Sequence, residues 1–289
     1  MLRDTIASIG DHFLIGLRPS PVLDDHDRAL LSDLRPAGVI LFKSNFRHDL
    51  PYKAWLENHA RLIADIRSAT GRERMLIAID HEGGRVCRTP LPITRFHYAM
   101  RWAGQAAEVG GAMGRELVSL GINLDFAPVL DIHTNPDNPV IGERAFGQTA
   151  ESVIAAALPF IEAMQGEKII ACGKHFPGHG DTSIDSHLGL PSQSPGLDAL
   201  RAREMKPFAA AIRAGLSMIL LAHIVYPAID PDGPISLSRR FATDILREEL
   251  GFAGVAVSDD IGMGAMKGLL DSPDFAVRLI ESGCDMVMV

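Results

Sequence analysis

Short, almost unbroken apolar runs recur along this chain, and longer amphipathic stretches separate them. The runs are His12–Leu17, Ala37–Phe42, Met75–Asp80, Ile122–Val129, Ile169–Gly173, Met218–His223, Gly254–Ser258 and Asp285–Val289. Runs this short and this uniformly apolar read as strands covered on both faces, which is the condition of a parallel sheet. Parallel neighbours need crossovers, and the intervening segments read as helices. Tyr52–Ser68 carries Trp55, Leu56, Leu62, Ile63 and Ile66 at helical spacing. Ala106–Leu120, Ser152–Met164, Leu197–Ala214, Arg239–Leu250 and Phe275–Ser282 read similarly. Ser238 is placed to cap the helix after it, and Gly215 and Gly251 fall where helices stop. Eight strands with helices between them predict an α/β protein, a (β/α)8 TIM-type barrel. An open doubly wound sheet is the alternative.

The polar residues favour the barrel, because they collect at one end of the strands. Asp80-His81-Glu82-Gly83-Gly84-Arg85 and then Arg88 follow the third run. The fourth contains Asp125 and ends near Asp131, with Glu143-Arg144 in the loop beyond. The fifth empties into Lys174-His175-Phe176-Pro177-Gly178-His179-Gly180-Asp181, followed by Asp185-Ser186-His187. The sixth ends at His223 and the seventh in Ser258-Asp259-Asp260. The carboxyl ends of barrel strands are where such enzymes keep their reactive groups.

Composition narrows the setting. A formal charge of −8 and a pI near 5.7 argue against nucleic acid or an anionic membrane surface as partner. The three cysteines, Cys87, Cys172 and Cys284, show no pairing or CxxC spacing, which fits a reducing, cytoplasmic setting. The N-terminus lacks the apolar core of a signal peptide, and no run approaches the ~20 apolar residues that span a bilayer. With no linker in view, residues 1–289 are expected to form a single catalytic domain, and a monomer.

The Lys174–Gly180 run and the Asp185–His187 triplet together resemble the signature of glycoside hydrolase family 3, in its single-domain β-N-acetylglucosaminidase branch. The resemblance extends from Gly38–Phe42, through Ile235-Ser236-Leu237-Ser238, to Gly283–Met286. It implies a retaining exo-β-N-acetylglucosaminidase that uses no cofactor and no metal. Its substrates would be N-acetylglucosaminides, anhydro-muropeptides of cell-wall recycling among them. Members of the family usually continue for a further helical segment, so a fold without the closing C-terminal helix is expected of these residues.

A carboxylate held at a strand end is preorganised to attack a sugar's anomeric carbon. From spacing alone Asp259 reads equally as a helix cap or loop carboxylate; the resemblance makes it the nucleophile and leaves Asp260 a supporting residue. Asp185 and His187, two apart, can lie on one side of a loop, where a carboxylate fixes an imidazole's tautomer and raises its pKa. The resemblance makes them the acid/base pair, although a loop histidine with a satisfied hydrogen bond fits the same spacing. It further implies that Asp80, Arg88, Arg144, Lys174 and His175 bind the sugar, and that Glu82 and Arg85 hold their loop. Lys174 could also pair with Asp125 in the barrel.

Three other readings start from the same residues. A neutral imidazole at the acid/base position repels phosphate less than a carboxylate, so phosphorolysis is an alternative to hydrolysis. His175, His179, Asp181, Asp185 and His187 all carry metal-ligand chemistry, as a metal-dependent barrel amidohydrolase would need. The His-x-His pair of those enzymes is absent from the first strand, which ends Gly16-Leu17-Arg18-Pro19. A sugar-binding protein without catalysis is the third; intact Asp259, Asp185 and His187 weigh against it.

Overall fold

Each of the eight apolar runs forms a strand in the computed structural model, which describes residues 9–186 and 188–289. The strands are β1 (Phe13–Gly16), β2 (Gly38–Leu41), β3 (Leu76–Ile79), β4 (Leu124–Asp125), β5 (Ile170–Phe176), β6 (Met218–Leu221), β7 (Val255–Ser258) and β8 (Val287–Met288). Every strand pairs in parallel with its neighbours in chain order, and β8 pairs with β1. A parallel bridge between Val257 and Met286 and a Ser258 N–H bond to the Met286 carbonyl (2.9 Å) bring β7 to β8. The sheet thereby closes into a barrel, as the alternation predicts, and the open doubly wound sheet is excluded.

The two-residue period of a strand sorts its side chains between two cores. Leu14, Ile40, Ala78, Leu124, Cys172, Leu220 and Val257 point inward with Phe126, Met218, Met286 and Met288, and fill the barrel. Their neighbours Ile15, Val39, Leu41, Ile77, Ile79, Ala171, Ile219 and Ala256 face the helices in a larger outer core. Both faces are buried, which is why the strands are apolar over most of their length, with Asp125 in β4 and Lys174 and His175 late in β5 as exceptions.

The helices are α1 (Asp25–Leu34), α2 (Tyr52–Thr70), α3 (Ala106–Ser119), α4 (Ala150–Gly166), α5 (Leu197–Ala202), α6 (Met205–Arg213), the π-helical α7 (Arg240–Glu249) and α8 (Phe275–Glu281). The Ser238 hydroxyl accepts from the Phe241 N–H at 3.2 Å, the cap expected of it. Gly215 and Gly251 follow helices with φ of 85° and 70°.

Four boundaries differ from expectation. The segment Leu197–Ala214 is two helices, because the Pro207 ring would strike the Arg203 carbonyl in an unbroken one. Helix α1 has few apolar residues and buries only Asp27 and Leu31; its start is fixed by Asp24, which accepts the Asp27 N–H at 2.8 Å. Strand β4 is short, since Pro128 has no N–H to donate and the Asn123 side chain takes over pairing with Ile77 and Met75. Strand β5 runs on to Phe176, so Lys174 and His175 lie within the strand rather than just past it.

Candidate active site

Ladder bonds fix a strand's backbone tightly, so side chains at the ends of β3, β5 and β7 project from rigid points. Asp80 is the first residue past β3, Lys174 and His175 end β5 with Phe176, and Asp259 is the first residue past β7. The Asp259 N–H donates to the Leu221 carbonyl at 3.0 Å, which holds its backbone against β6. Asp80, Arg88, Arg144, His175, Asp185 and Asp259 line one cavity of 290 Å³. Six of the eight residues expected to act in the site therefore meet in a single depression at the carboxyl end of the barrel.

Lys174 is not a wall of that cavity. Only 3% of its side chain is exposed, with Nζ 2.8 Å from Asp80 Oδ1 and 2.5 Å from Glu82 Oε1. Arg144 grips the same Glu82 with two bonds, from Nε (2.7 Å) and Nη2 (2.8 Å), and also donates to the Val140 carbonyl. Arg88 Nη2 stands 3.5 Å from Asp80 Oδ2. Three cations thus share two carboxylates. Burial disfavours ionised carboxylates, but Lys174 with Arg88 at Asp80, and Arg144 with Lys174 at Glu82, outweigh it and hold both pKa values below the ordinary range. The pairing of Lys174 with Asp125 is not formed. Asp125 Oδ1 accepts the His81 N–H at 2.8 Å, and its Oδ2 is buried with no partner among the described residues. Burial pushes the Asp125 carboxyl pKa well up, which disfavours its ionised form.

Sequence reasoning missed Asp131 as a site residue and gave Glu82 only a loop-holding part. Fully buried, Asp131 gathers three donors: His175 Nδ1 at 2.6 Å on Oδ2, and the N–H groups of His175 (3.2 Å) and His179 (2.7 Å) on Oδ1. Burial opposes its ionisation, yet His175 outweighs it and lowers the Asp131 pKa. The signal for Asp131 was its place beyond the fourth strand, but nothing in the sequence pairs it with a residue 44 positions on.

The loop after β5 is tied down from both sides. His179 Nδ1 lies 2.7 Å from the Thr182 hydroxyl and its Nε2 lies 3.1 Å from the Ser186 hydroxyl. The Asn138 amide donates to the carbonyls of His179 and Thr182, both at 2.9 Å. Asp181 accepts from Thr134 and pairs with Arg203. These are the loop-shaping parts expected of His179 and Asp181, and they occupy atoms that a metal would need. Among the described residues no three His, Cys, Asp or Glu side chains are arranged to hold a metal ion. His187, the expected acid/base, lies outside the described residues. On either side of it, the Ser186 carbonyl accepts the Ala265 N–H (3.0 Å), and the Leu188 N–H donates to the Asp185 carbonyl (2.9 Å).

Beneath Asp259, the buried His223 places Nδ1 2.8 Å from the Ser236 hydroxyl and Nε2 3.2 Å from the Asp260 carbonyl. Burial lowers its pKa, and because a carbonyl can only accept, Nε2 is the donor in that bond. Asp260 itself accepts the Gly262 N–H at 2.7 Å, a turn-holding part. Arg85 bonds the Pro139 and Val140 carbonyls and so holds the rim.

Buried histidines make this architecture acid-sensitive. Burial pushes His81 and His179 down to about 4, from an ordinary value of 6.5, and lowers His59 and His223 too. The unfolded chain takes up these protons near pH 6.5 while the folded chain refuses them. Their contribution is complete above pH 6.5 and is lost as pH falls toward 4. At pH 5, His81 and His179 should each have cost about 2 kcal/mol. Urea midpoints should fall steadily from pH 7 to 5; a flat profile would contradict the buried, neutral assignment.

Comparison with known proteins agrees with the geometry. Residues 15–289 match the model of the glycosyl hydrolase family 3 N-terminal domain. A β-hexosaminidase of Methylococcus capsulatus is 39% identical over 277 residues, 93% of this chain and 80% of that protein. One from Neisseria meningitidis serogroup C is 36% identical, covering 92% and 74% of the two chains. Among solved structures, NagZ from Neisseria gonorrhoeae in complex with N-trifluoroacetyl-D-glucosamine superposes with a TM-score of 0.84 at 34% identity, over 96% of this chain and 81% of that one. A family 3 β-N-acetylglucosaminidase from Paenibacillus sp. str. FPU-7 gives 0.90 at 34% identity over the whole of this chain, which spans 55% of that protein.

Proposed function

The chain belongs to glycoside hydrolase family 3 and is a glycosidase of the β-hexosaminidase type; from that premise we propose that it is a retaining exo-β-N-acetylglucosaminidase. One observation carries the proposal. Asp259, on a rigid strand end, and Asp185, on the loop from β5, line the same 290 Å³ cavity as Asp80, Arg88, Arg144 and His175. A cavity of that size suits one sugar ring, and its polar groups suit hydroxyls.

In this reading Asp80 accepts from sugar hydroxyls, Arg88, Arg144 and His175 line the ring's periphery, and Lys174 acts from behind by orienting Asp80. Asp259 attacks the anomeric carbon as His187, oriented by Asp185, protonates the departing oxygen. A covalent glycosyl-aspartate results. His187 then removes a proton from water, which attacks the same carbon, frees Asp259 and returns the β configuration. Residues 1–289 act as one catalytic unit, in monomeric form. The substrates in the cell would be anhydro-muropeptides of cell-wall recycling, in the cytoplasm. The unpaired cysteines and the acidic charge fit that setting. Among the described residues no helix is long and apolar enough to cross a membrane.

An aryl β-N-acetylglucosaminide should be turned over in phosphate-free buffer with chelator present, and the matching glucoside should not. Sugar 1-phosphate formed once phosphate is added would redirect the reading to a phosphorylase. His187→Ala should lower kcat/KM for substrates with poor leaving groups by about 10²–10⁴-fold and spare kcat/KM for activated aryl glycosides, whose departure needs no acid. Equal losses on both classes would remove His187 as the acid.

A further inference from the structure

A second, larger cavity of 670 Å³ opens beside the first, lined by Phe42, Lys43, Phe46, His48, Asp49 and Arg88. Arg88 is a wall of both. We propose that this second cavity receives the aglycone, and that Lys43 there holds a carboxylate carried on it. The inference rests on the glycosidase reading above and adds to it the class of leaving group. An exo-acting enzyme encloses the terminal sugar, so the aglycone is the part of the substrate that extends into adjoining space.

The charges in the cavity single out Lys43. Asp49 is occupied by Arg47, which donates to it through Nε (2.8 Å) and Nη2 (2.7 Å). Those bonds hold the Asp49 carboxyl down at about 2, so the pair adds no net charge. Burial keeps the His48 pKa below its ordinary value, and its Nε2 lies 3.1 Å from the Lys43 carbonyl. Burial thus disfavours a positive charge on this ring. Arg88 faces Asp80 across 3.5 Å. Lys43 makes no ion pair with any described residue, so its positive charge stands uncompensated. A single compact ammonium suits a monoanion such as a carboxylate.

The site is also built rather than incidental. Lys43 opens a one-turn 3₁₀ helix, Lys43–Asn45, directly past β2. The fully buried Asn45 fixes that turn: its Oδ1 accepts the Phe42 N–H (2.9 Å), and its amide donates to the carbonyls of Arg18 (3.0 Å) and Ser20 (2.9 Å). Phe42 and the buried Phe46 supply apolar walls for the body of an aglycone. At the junction of the two cavities, the Arg88 Nε–H is buried and has no partner among the described residues.

The test uses two non-hydrolysed probes, the phenyl and 4-carboxyphenyl 1-thio-β-N-acetylglucosaminides, titrated calorimetrically into the full chain. The carboxylated probe should bind about 3- to 5-fold more tightly at low salt. The ratio should fall to about 1 in Lys43→Ala and invert in Lys43→Glu. Equal affinities in the unsubstituted protein, or a ratio that survives both substitutions, would overturn the proposal. Turnover of the matching O-glycosides is measured alongside. Tight, charge-dependent binding without turnover would overturn the hydrolase reading and uphold the second cavity, and absence of binding by either probe would overturn both.

Discussion

Asp259→Ala is expected to reduce turnover of an aryl β-N-acetylglucosaminide by on the order of 10⁴-fold or more, with the chain still folded. The size follows from the part proposed for it. A retaining enzyme without its nucleophile has no covalent intermediate, and the remaining groups supply only binding and protonation. The fold should survive because the Asp259 side chain is half-buried at the cavity wall, while β7 below it is held by its ladder to β6 and by the bridge to Met286. The carboxylate's one bond to the local backbone is from the Asp260 N–H at 2.9 Å. Azide added to the variant should restore product as a glycosyl azide, since a small anion fits the space the carboxylate leaves. Activity within tenfold of the unsubstituted protein, with no contaminating wild-type enzyme, would remove Asp259 from the mechanism.

The second large effect is on stability. Glu82→Ala should cost about 3–5 kcal/mol, because it leaves Lys174 and Arg144 buried with one carboxylate fewer between them. Arg144 loses its one ion-pair partner among the described residues. Glu82→Gln keeps the shape and some of the hydrogen bonds, and should cost less than Glu82→Ala. The charge itself is isolated by a double-mutant cycle with Arg144→Met, in which the two single losses should exceed the double by more than 1 kcal/mol. Urea midpoints at pH 7 provide the measurement. Losses below 1 kcal/mol in both single variants would mean that the pair is solvated and not the support of the site. Acid acts in the same direction: with pKa values held below normal in the fold, Glu82, Asp80 and Asp131 contribute fully above the unfolded values of 4.5 and 3.8 and lose that contribution as pH falls below them.

The barrel was legible because its requirement is local. A strand buried on both faces must be apolar over most of its length, and this chain shows such a run eight times. The active end of most strands was legible for the same reason, since polar residues return near where the sheet stops; β5, which runs on through Lys174 and His175, is the exception. That placed Asp80, His175 and Asp259 on one face of the molecule before any contact was known. Helix α1 escaped because it is short and buries one leucine, so few apolar residues mark its inner face.

What the sequence by itself determined is the ring of strands and which residues stand at its active end. Only the tertiary structure decided how those residues are partnered. Whether Lys174 meets Asp125 or Asp80 depends on which way two side chains lean inside a closed barrel, and Lys174 lies 94 positions from its Asp80 partner. The same holds for Glu82, bound to Arg144 across 62 positions, and for Asp131, which fixes His175. Hydrophobic period is written along the chain, one residue after another. Charge pairing is settled by distance in space, falls off with separation and dielectric, and is fixed only when closure of the sheet brings the strand ends together.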